Sequence, residues 1–354
     1  MTTKLNRRNW LKSTTLTTAG LAIGNASTLL ATPNHSQQIV DNMKFWYQKN
    51  RITLRVLCWP LSRLFRIVVF IRRKLYQLNI LKSKKFPVPI IVVGNITIGG
   101  TGKTPLIISL AKYLKSEGYQ VGIVSRGYGG KQKTPYLVKA DDDPLLVGDE
   151  TVLIAAQTQC PVVVARKRVE AVSYLLEHSN CTVVLSDDGL QHYALQRDIE
   201  LVVVDGERRF GNQSLIPLGP LRESVERLNE VDFIITNGGK AHDGEAAMSL
   251  SPSFAVNLKN RQQVPVSQLT NLVAMAGIGH PPRFFNTLET LGAKLNYAQG
   301  FADHKDFIPA ELEALSKRGE HLIMTEKDAV KCADYAKENW WYLPVTASFN
   351  QQDE

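Results

Sequence analysis

Acidic side chains are almost missing from the first third of this chain. Residues 1–116 hold 19 Lys and Arg against the single acid Asp41, a net of +18, whereas residues 117–354 sum to −9. The overall basicity therefore belongs to the N-terminal third, which invites an anionic surface such as lipid headgroups or nucleic acid. Cysteine is scarce: Cys58, Cys160, Cys181 and Cys332 are scattered with no CxxC spacing. That excludes a disulfide frame or zinc site and suggests reduced thiols in a cytosolic setting. Arginines break the hydrophobic stretch over residues 55–74 too often for a transmembrane span of about 20 apolar residues there. Internal repeats and low-complexity tracts are lacking too. What remains is an ordinary globular composition, 44% hydrophobic and 21% charged over 354 residues, enough chain for about two domains.

The most informative stretch is Pro89-Ile-Ile-Val-Val-Gly-Asn-Ile-Thr-Ile-Gly-Gly-Thr-Gly-Lys-Thr104. It reads as a buried strand (Ile90 to Val93), a glycine-rich loop (Thr97, Ile98, Gly99, Gly100, Thr101, Gly102), then Lys103 and Thr104 opening a helix. Backbone N–H groups of such a loop and the helix N-terminus cradle phosphate. Lys103 would reach the β- and γ-phosphates of ATP, and the Thr104 hydroxyl would bind Mg²⁺. Thr97 stands where the usual G-x-x-x-x-G-K-[ST] pattern has its first glycine.

Downstream, Pro105 to Ser116 reads as a helix stopped by Gly118. Short apolar runs follow at Gln120–Val124, Val162–Ala165, Val183–Leu185, Leu201–Val204 and Phe233–Ile235, separated by segments such as Arg166 to His178. The alternation predicts a P-loop NTPase-like α/β fold, a mostly parallel sheet with helices on both faces, with ligands beyond the carboxyl ends of the strands. From about Asn260 the rhythm changes. Val273–Ala276 and Leu322–Met324 predict a smaller C-terminal α/β unit ending near Pro344, with the polar, proline-containing stretch at 250–270 as linker.

Several constellations carry chemistry. The strand Val183 to Ser186 ends in Asp187-Asp188-Gly189, as a Mg²⁺-binding strand end would; the bland reading is an Asp-Gly turn. Gln191 and His192 would face the same cleft. In Gly148-Asp149-Glu150, on a loop, Asp149 could accept a proton from an attacking hydroxyl, or be a solvated acidic turn. His304 in Phe301-Ala-Asp-His is by itself more readily structural than catalytic. Arg222, in the rigid loop Gly219-Pro-Leu-Arg-Glu223, could neutralise phosphoryl charge.

Between Arg55 and Leu78 a stripe formed by Leu57, Leu61, Leu64, Val68, Ile71, Leu75 and Leu78 repeats at three and four residues. Arg55, Arg63, Arg66, Arg72, Arg73 and Lys74 lie mostly off it. This predicts an amphipathic helix in a membrane interface; the plainer reading packs the stripe on the core. No nucleic-acid module is recognisable.

Taken in order, G-N-I-T-I-G-G-T-G-K-T, S-R-G-Y-G-G, G-D-E, D-D-G-L-Q-H, G-P-L-R-E, A-G-I-G-H-P-P-R-F-F, A-D-H and T-E-K-D-A-V-K-C closely resemble the tetraacyldisaccharide 4′-kinase family, from about Met43 to Val345. The resemblance implies a lipid kinase, an ATP-dependent phosphotransferase that moves the γ-phosphate to the 4′-hydroxyl of a tetraacyldisaccharide 1-phosphate and forms lipid IVA in lipid A biosynthesis. By matching motifs, Asp149 would be the base and His304 would orient or tune it, with Lys103 also in the catalytic set. Asp187 and Asp188 would serve Mg²⁺ together with Thr104 and Gln191, and Arg222 and Glu223 would contact phosphate or metal. Thr151, where the family usually has proline, and Ser186, for a common threonine, depart from the pattern without removing a functional group. The implied place is the cytoplasmic face of the bacterial inner membrane, held peripherally by residues 43–81 on anionic lipid, with no nucleic acid and no obligate protein partner. The implied organisation is a membrane-associating helix (43–81), a P-loop kinase core (82–258) and a C-terminal domain closing over the site (259–354).

Residues 1–42 do not fit this. Asn6-Arg-Arg-Asn-Trp-Leu-Lys12, followed by 28 uncharged residues, resembles a twin-arginine signal. A fused or misassigned upstream leader with Met43 as alternative start is favoured over an uncleaved anchor or export. Another P-loop protein and an exported protein are weighed as alternatives. A GTPase would carry N/T-K-x-D, but Thr236-Asn237-Gly238-Gly239 lacks both Lys and Asp. A partitioning-type ATPase would have its signature lysine where Ile98 stands. An exported binding or structural protein would leave the P-loop without a role.

Overall fold

The computed structural model describes residue 46, residues 52–252 and residues 254–349, without the side chains of 52–55 and 57. The leader-like segment 1–42, Met43 and the side chains of Arg55 and Leu57 lie outside these. Helix α1 (Ile52–Gln77) leads into strand β1 (Ile90–Gly94) and helix α2 (Lys103–Ser116). Strands β2 (Val121–Ser125) and β3 (Tyr136–Val138) are followed by the short helix α3 (Pro144–Val147) and by α4 (Asp149–Thr158). Then come β4 (Val162–Val164), α5 (Arg168–His178), β5 (Val183–Asp187), β6 (Ile199–Asp205), β7 (Phe233–Asn237) and β8 (Glu245–Pro252).

These strands form one sheet in the order β15-β8-β7-β6-β1-β5-β2-β4-β3, where β15 is Val345–Phe349. The seven strands from β8 to β4 run parallel, and β15 and β3 close the edges antiparallel. Side chains alternate across a strand, so β1 serves two layers. Ile91 and Val93 join Leu106, Ile107 and Leu110 of α2 on one face. Ile90 and Val92 join Ala171, Val172 and Leu175 of α5 on the other. Burial on both faces explains why these strands read as unbroken apolar runs.

A second sheet has the order β10-β9-β14-β13-β11-β12. It comprises β9 (Ala255–Asn257), β10 (Gln263–Val264), β11 (Leu272–Ala276), β12 (Leu295–Gly300), β13 (His321–Thr325) and β14 (Trp340–Leu343). Helix α6 (Pro281–Thr290) covers one face through Phe284 and Leu288, and α7 (Pro309–Ser316) the other through Leu312 and Leu315. The last helix, α8 (Glu326–Cys332), follows β13 directly.

Two expectations need correction. The stretch at 250–270 is not a free linker: the end of β8, then β9 and β10, occupy much of it, because its apolar residues pair at sheet edges. The chain also returns after β14, and β15 pairs with β8 along Val345 to Phe349, so the C-terminal strand belongs to the first sheet.

Helix α1 does not turn its apolar stripe to the core. Leu61, Leu64, Val68 and Ile71 are all at least half exposed. The helix is fastened on another side, where Ser62 Oγ donates to Leu215 O at 2.8 Å, Phe65 packs into the core, and Arg73 pairs with Glu230. Among the described residues no helix is long and apolar enough to cross a membrane.

Candidate active site

Parallel strands bring their carboxyl ends to one edge, and the site is assembled there. Strand β1 delivers the loop Thr97 to Gly102. Thr97 is buried and bridges Leu221, and it is absent from the residues with positive φ, so a β-branched side chain fits where glycine is usual. Gly102 is different. Its φ is 95°, and a Cβ would lie 2.4 Å from Asn237 Nδ2, so only glycine fits without displacement. Asn237, at the end of β7, donates to Thr101 O at 3.0 Å, and Asn95 reaches Thr101 Oγ1 at 3.3 Å. Two buried amides thus hold the loop. Helix α2 begins at Lys103, where the glycine-rich loop ends.

The register of β1 and β5 sets Asp187 beside Val93, so the two acids emerge next to the loop. Lys103 Nζ lies 3.6 Å from Asp188, and Arg222 Nη1 lies 2.9 and 3.0 Å from its two oxygens. Enclosure opposes ionisation of Asp188, but these two cations outweigh it and hold the acid far below the usual carboxylate range. Arg222 gets there because its loop pairs with the P-loop: Arg222 N donates to Ile96 O and Ile98 N to Pro220 O. Asp187 has the opposite shift. Burial, then the negative charges of Glu150 and Asp188, push it up to about 6. Its Oδ2 accepts from Ser125 Oγ at 2.8 Å, while Oδ1 is buried with no hydrogen-bond partner.

Gln191 donates to Asn95 O and Glu223 Oε1, and its own Oε1 faces Arg222 at 3.4 Å. Glu223 is buried and also accepts from the Tyr193 hydroxyl. Both side chains tie the Arg222 loop to the end of β1. Among the described residues no cluster of three His, Cys, Asp or Glu could cage a metal by itself. A Mg²⁺ site on a nucleotide needs less, since it takes one or two carboxylates plus phosphate oxygens and water. The orphaned Oδ1 of Asp187, in a locally acidic setting, fits that requirement.

Asp149 is not on a loop. It is the first residue of α4 and is only 4% exposed, which overturns the reading as a solvated turn. Gly148 before it has φ 96°, and a Cβ there would meet Tyr128 O at 2.7 Å, so the S-R-G-Y-G-G loop packs directly on this helix start. His304 Nδ1 lies 3.1 Å from Asp149 Oδ1, which also accepts from Glu150 N. Asp149 Oδ2 is buried with no hydrogen-bond partner, and Lys331 Nζ stands 3.8 Å away. Burial raises the Asp149 pKa, but the His304 hydrogen bond and the charges of Lys327 and Lys331 prevail and hold it below its ordinary value. The result is an ionised carboxylate whose Oδ2 is enclosed and has no hydrogen-bond partner.

Sequence reasoning assigned no role to Lys327 and Lys331, although T-E-K-D-A-V-K-C was noted as a motif. Both project from α8 of the second sheet unit onto residues of the first. Arg168 was also missed. It is 2% exposed, and its Nη2 donates to Asp187 O at 2.6 Å, fixing the end of β5 from beneath.

Comparison with known proteins gives a consistent picture. Residues 54–354 match the family model described as tetraacyldisaccharide-1-P 4′-kinase. The chain is 56% identical over 313 residues to a tetraacyldisaccharide 4′-kinase of Vibrio parahaemolyticus, covering 88% of this chain and 93% of that one. It is 53% identical over 312 residues to the protein of the same name from Aliivibrio fischeri, covering 87% and 95%. It is similar in structure to LpxK from Aquifex aeolicus in complex with ATP, with TM-score 0.70, 29% identity, and 85% and 96% coverage.

Proposed function

The chain belongs to the tetraacyldisaccharide-1-phosphate 4′-kinase family, and we propose that Asp149 is the base through which this ATP-dependent kinase phosphorylates the 4′-hydroxyl of its lipid disaccharide. The single observation that carries the reading is Asp149 itself: buried, ionised, held at Oδ1 by His304 and without a hydrogen-bond partner at Oδ2. The P-loop Thr97 to Thr104 takes the ATP phosphates, with Lys103 at the β- and γ-phosphates.

Attack of the 4′-oxygen on the γ-phosphorus forms one P–O bond and breaks the bond to the β-phosphate oxygen. The hydroxyl proton passes to Asp149 Oδ2. Negative charge on the transferring group is met by Lys103 and Arg222, whose cations already lie together around Asp188. Thr104, Asp187 and Asp188 are the residues that would hold Mg²⁺, with Gln191 keeping Arg222 beside them. When bound, that ion would neutralise negative charge on the phosphates.

The acyl chains of such a substrate stay in a bilayer, so the enzyme must work at its surface. The exposed stripe of α1, with Arg63, Arg66, Arg72 and Lys74 beside it, supports a peripheral attachment to anionic lipid. The cytoplasmic face of the inner membrane is the side that offers ATP.

The test is transfer itself. Protein begun at Met43 is incubated with γ-labelled ATP, Mg²⁺ and tetraacyldisaccharide 1-phosphate in detergent micelles, beside Lys103→Ala. Label on the 4′-position that vanishes in the variant is expected. A folded, ATP-binding protein that labels no lipid would refute the acceptor assignment.

A further inference from the structure

Helix α1 has more than its exposed stripe. Its last turns lie against the loop that follows β5, where they meet Tyr193. The Arg72 guanidinium stands 5.9 Å from the centre of the Tyr193 ring, and the Tyr76 ring lies 5.8 Å from it. Just past the helix, Ser83 Oγ donates to Tyr193 O at 2.5 Å and Lys84 N donates to Ala194 O at 2.8 Å. Arg197, 5.4 Å from the same ring, donates to His192 O and Leu190 O and so fastens the loop on itself. Helix α1 and the segment after it therefore hold Tyr193 at both its ring and its backbone.

The hydroxyl of that ring reaches the site. It donates to Glu223 Oε2, while Glu223 Oε1 accepts from Gln191 Nε2 at 2.8 Å. Gln191 Oε1 in turn faces Arg222 Nη1 at 3.4 Å, and Arg222 holds Asp188. Burial, then the negative charge of Glu223, raises the Tyr193 pKa, so the phenol keeps its proton and remains a donor. Glu223 is 2% exposed. The Arg227 guanidinium nearby stands 3.5 Å from Oε2 and gives its Nη2 to Glu200. Removing the phenol would leave a buried carboxylate oxygen short of a donor.

We propose that Tyr193 is a positioning residue that ties α1 to Glu223 and so holds the neighbouring Arg222 in place for the transferring phosphoryl group. Helix α1 then has a task in catalysis besides attachment to lipid: its stripe of Leu61, Leu64, Val68 and Ile71 faces outward, and Arg72 and Tyr76 bear on the tie. The inference rests on the kinase reading of the site and adds a residue that acts through Glu223. It does not depend on how deeply α1 sits in a bilayer.

The test compares Tyr193→Phe, Tyr76→Ala and the double variant in two arms. In detergent micelles, Tyr193→Phe is expected to lower kcat roughly tenfold or more, with ATP affinity and KM for the lipid within about threefold of the parent. Tyr76→Ala should lower kcat roughly threefold or more while sedimentation with vesicles stays unchanged, and the double variant should fall within about twofold of Tyr193→Phe alone. Effects that multiply in the double variant would overturn the tie to α1, and a Tyr193→Phe kcat within about twofold of the parent would overturn the positioning role. The second arm reads amide hydrogen exchange, which needs no turnover. Exchange in peptides covering residues 219–224 should quicken in Tyr193→Phe, with the rest of the chain and Tm unchanged. Exchange that quickens throughout the chain, or nowhere, would overturn the proposal. A parent protein that labels no lipid would remove the kinase reading alone, and the exchange arm would still decide whether Tyr193 holds the Arg222 loop.

Discussion

His304 Nδ1 lies 3.1 Å from Asp149 Oδ1, although 155 residues separate them in the chain. Asp149 opens a helix packed on the first sheet, and His304 follows the last residues of β12 in the second. The two units therefore share this acid–imidazole pair, and neither contains the whole of it.

Activity should follow this pair with pH. Asp149 is held below its ordinary 3.8, so it does not titrate near neutrality. His304 is raised above 6.5. As pH falls through that value the ring gains a second proton and a positive charge beside Asp149. The expected kcat profile is flat on the alkaline side with an acid limb centred above 6.5. An acid limb centred near pH 4 would show that only a carboxylate matters.

Gly102→Ala tests the loop geometry. The new methyl would sit 2.4 Å from Asn237 Nδ2 at a backbone φ of 95°. Left-handed strain and displacement of the amide together cost about 1–3 kcal/mol. Calorimetric titration should show ATP affinity reduced at least tenfold. Native-like affinity would mean the loop does not depend on Asn237.

Arg222→Ala removes a cation from Asp188 while the buried Glu223 network stays whole. Loss of a preorganised charge from a transferring phosphoryl group should lower kcat roughly 100-fold or more, with a much smaller change in ATP affinity. If only ATP affinity fell, Arg222 would serve the ground state.

For membrane attachment, Leu64→Asp with Ile71→Asp is the informative pair, because both side chains are already at least half exposed. Surface substitutions of this kind leave stability within about 0.5 kcal/mol. Each lost apolar contact with lipid is worth about 1.5 kcal/mol or more, so binding to vesicles containing phosphatidylglycerol should fall roughly 100-fold. Equal sedimentation with vesicles would contradict the attachment.

Much of this architecture is legible locally. Apolar runs three to five residues long announce the parallel strands, and Lys103 after the glycine loop announces the phosphate site. A stripe at helical spacing foretells α1, yet only the structure shows it turned outward. What periodicity does not carry is contact at long range. Asp149 reads as a surface turn until Gly148 is seen packed on Tyr128. Asn237 reads as a missing guanine motif until its amide is seen on Thr101. Lys327 and Lys331, four residues apart on α8, acquire meaning only when the second sheet unit is set against the first. The return of β15 to the first sheet is invisible for the same reason, since nothing in its own residues names β8 as partner.

The most direct test of Asp149 as the base is the single-turnover rate of phosphoryl transfer in Asp149→Asn, measured with ATP affinity determined in parallel. The amide keeps the shape and the bond from His304 but cannot take a proton. The account predicts a rate lowered by roughly 100- to 10,000-fold with ATP affinity within about threefold of the parent. A rate within tenfold of the parent would contradict it, and the hydroxyl proton would have to leave by another path.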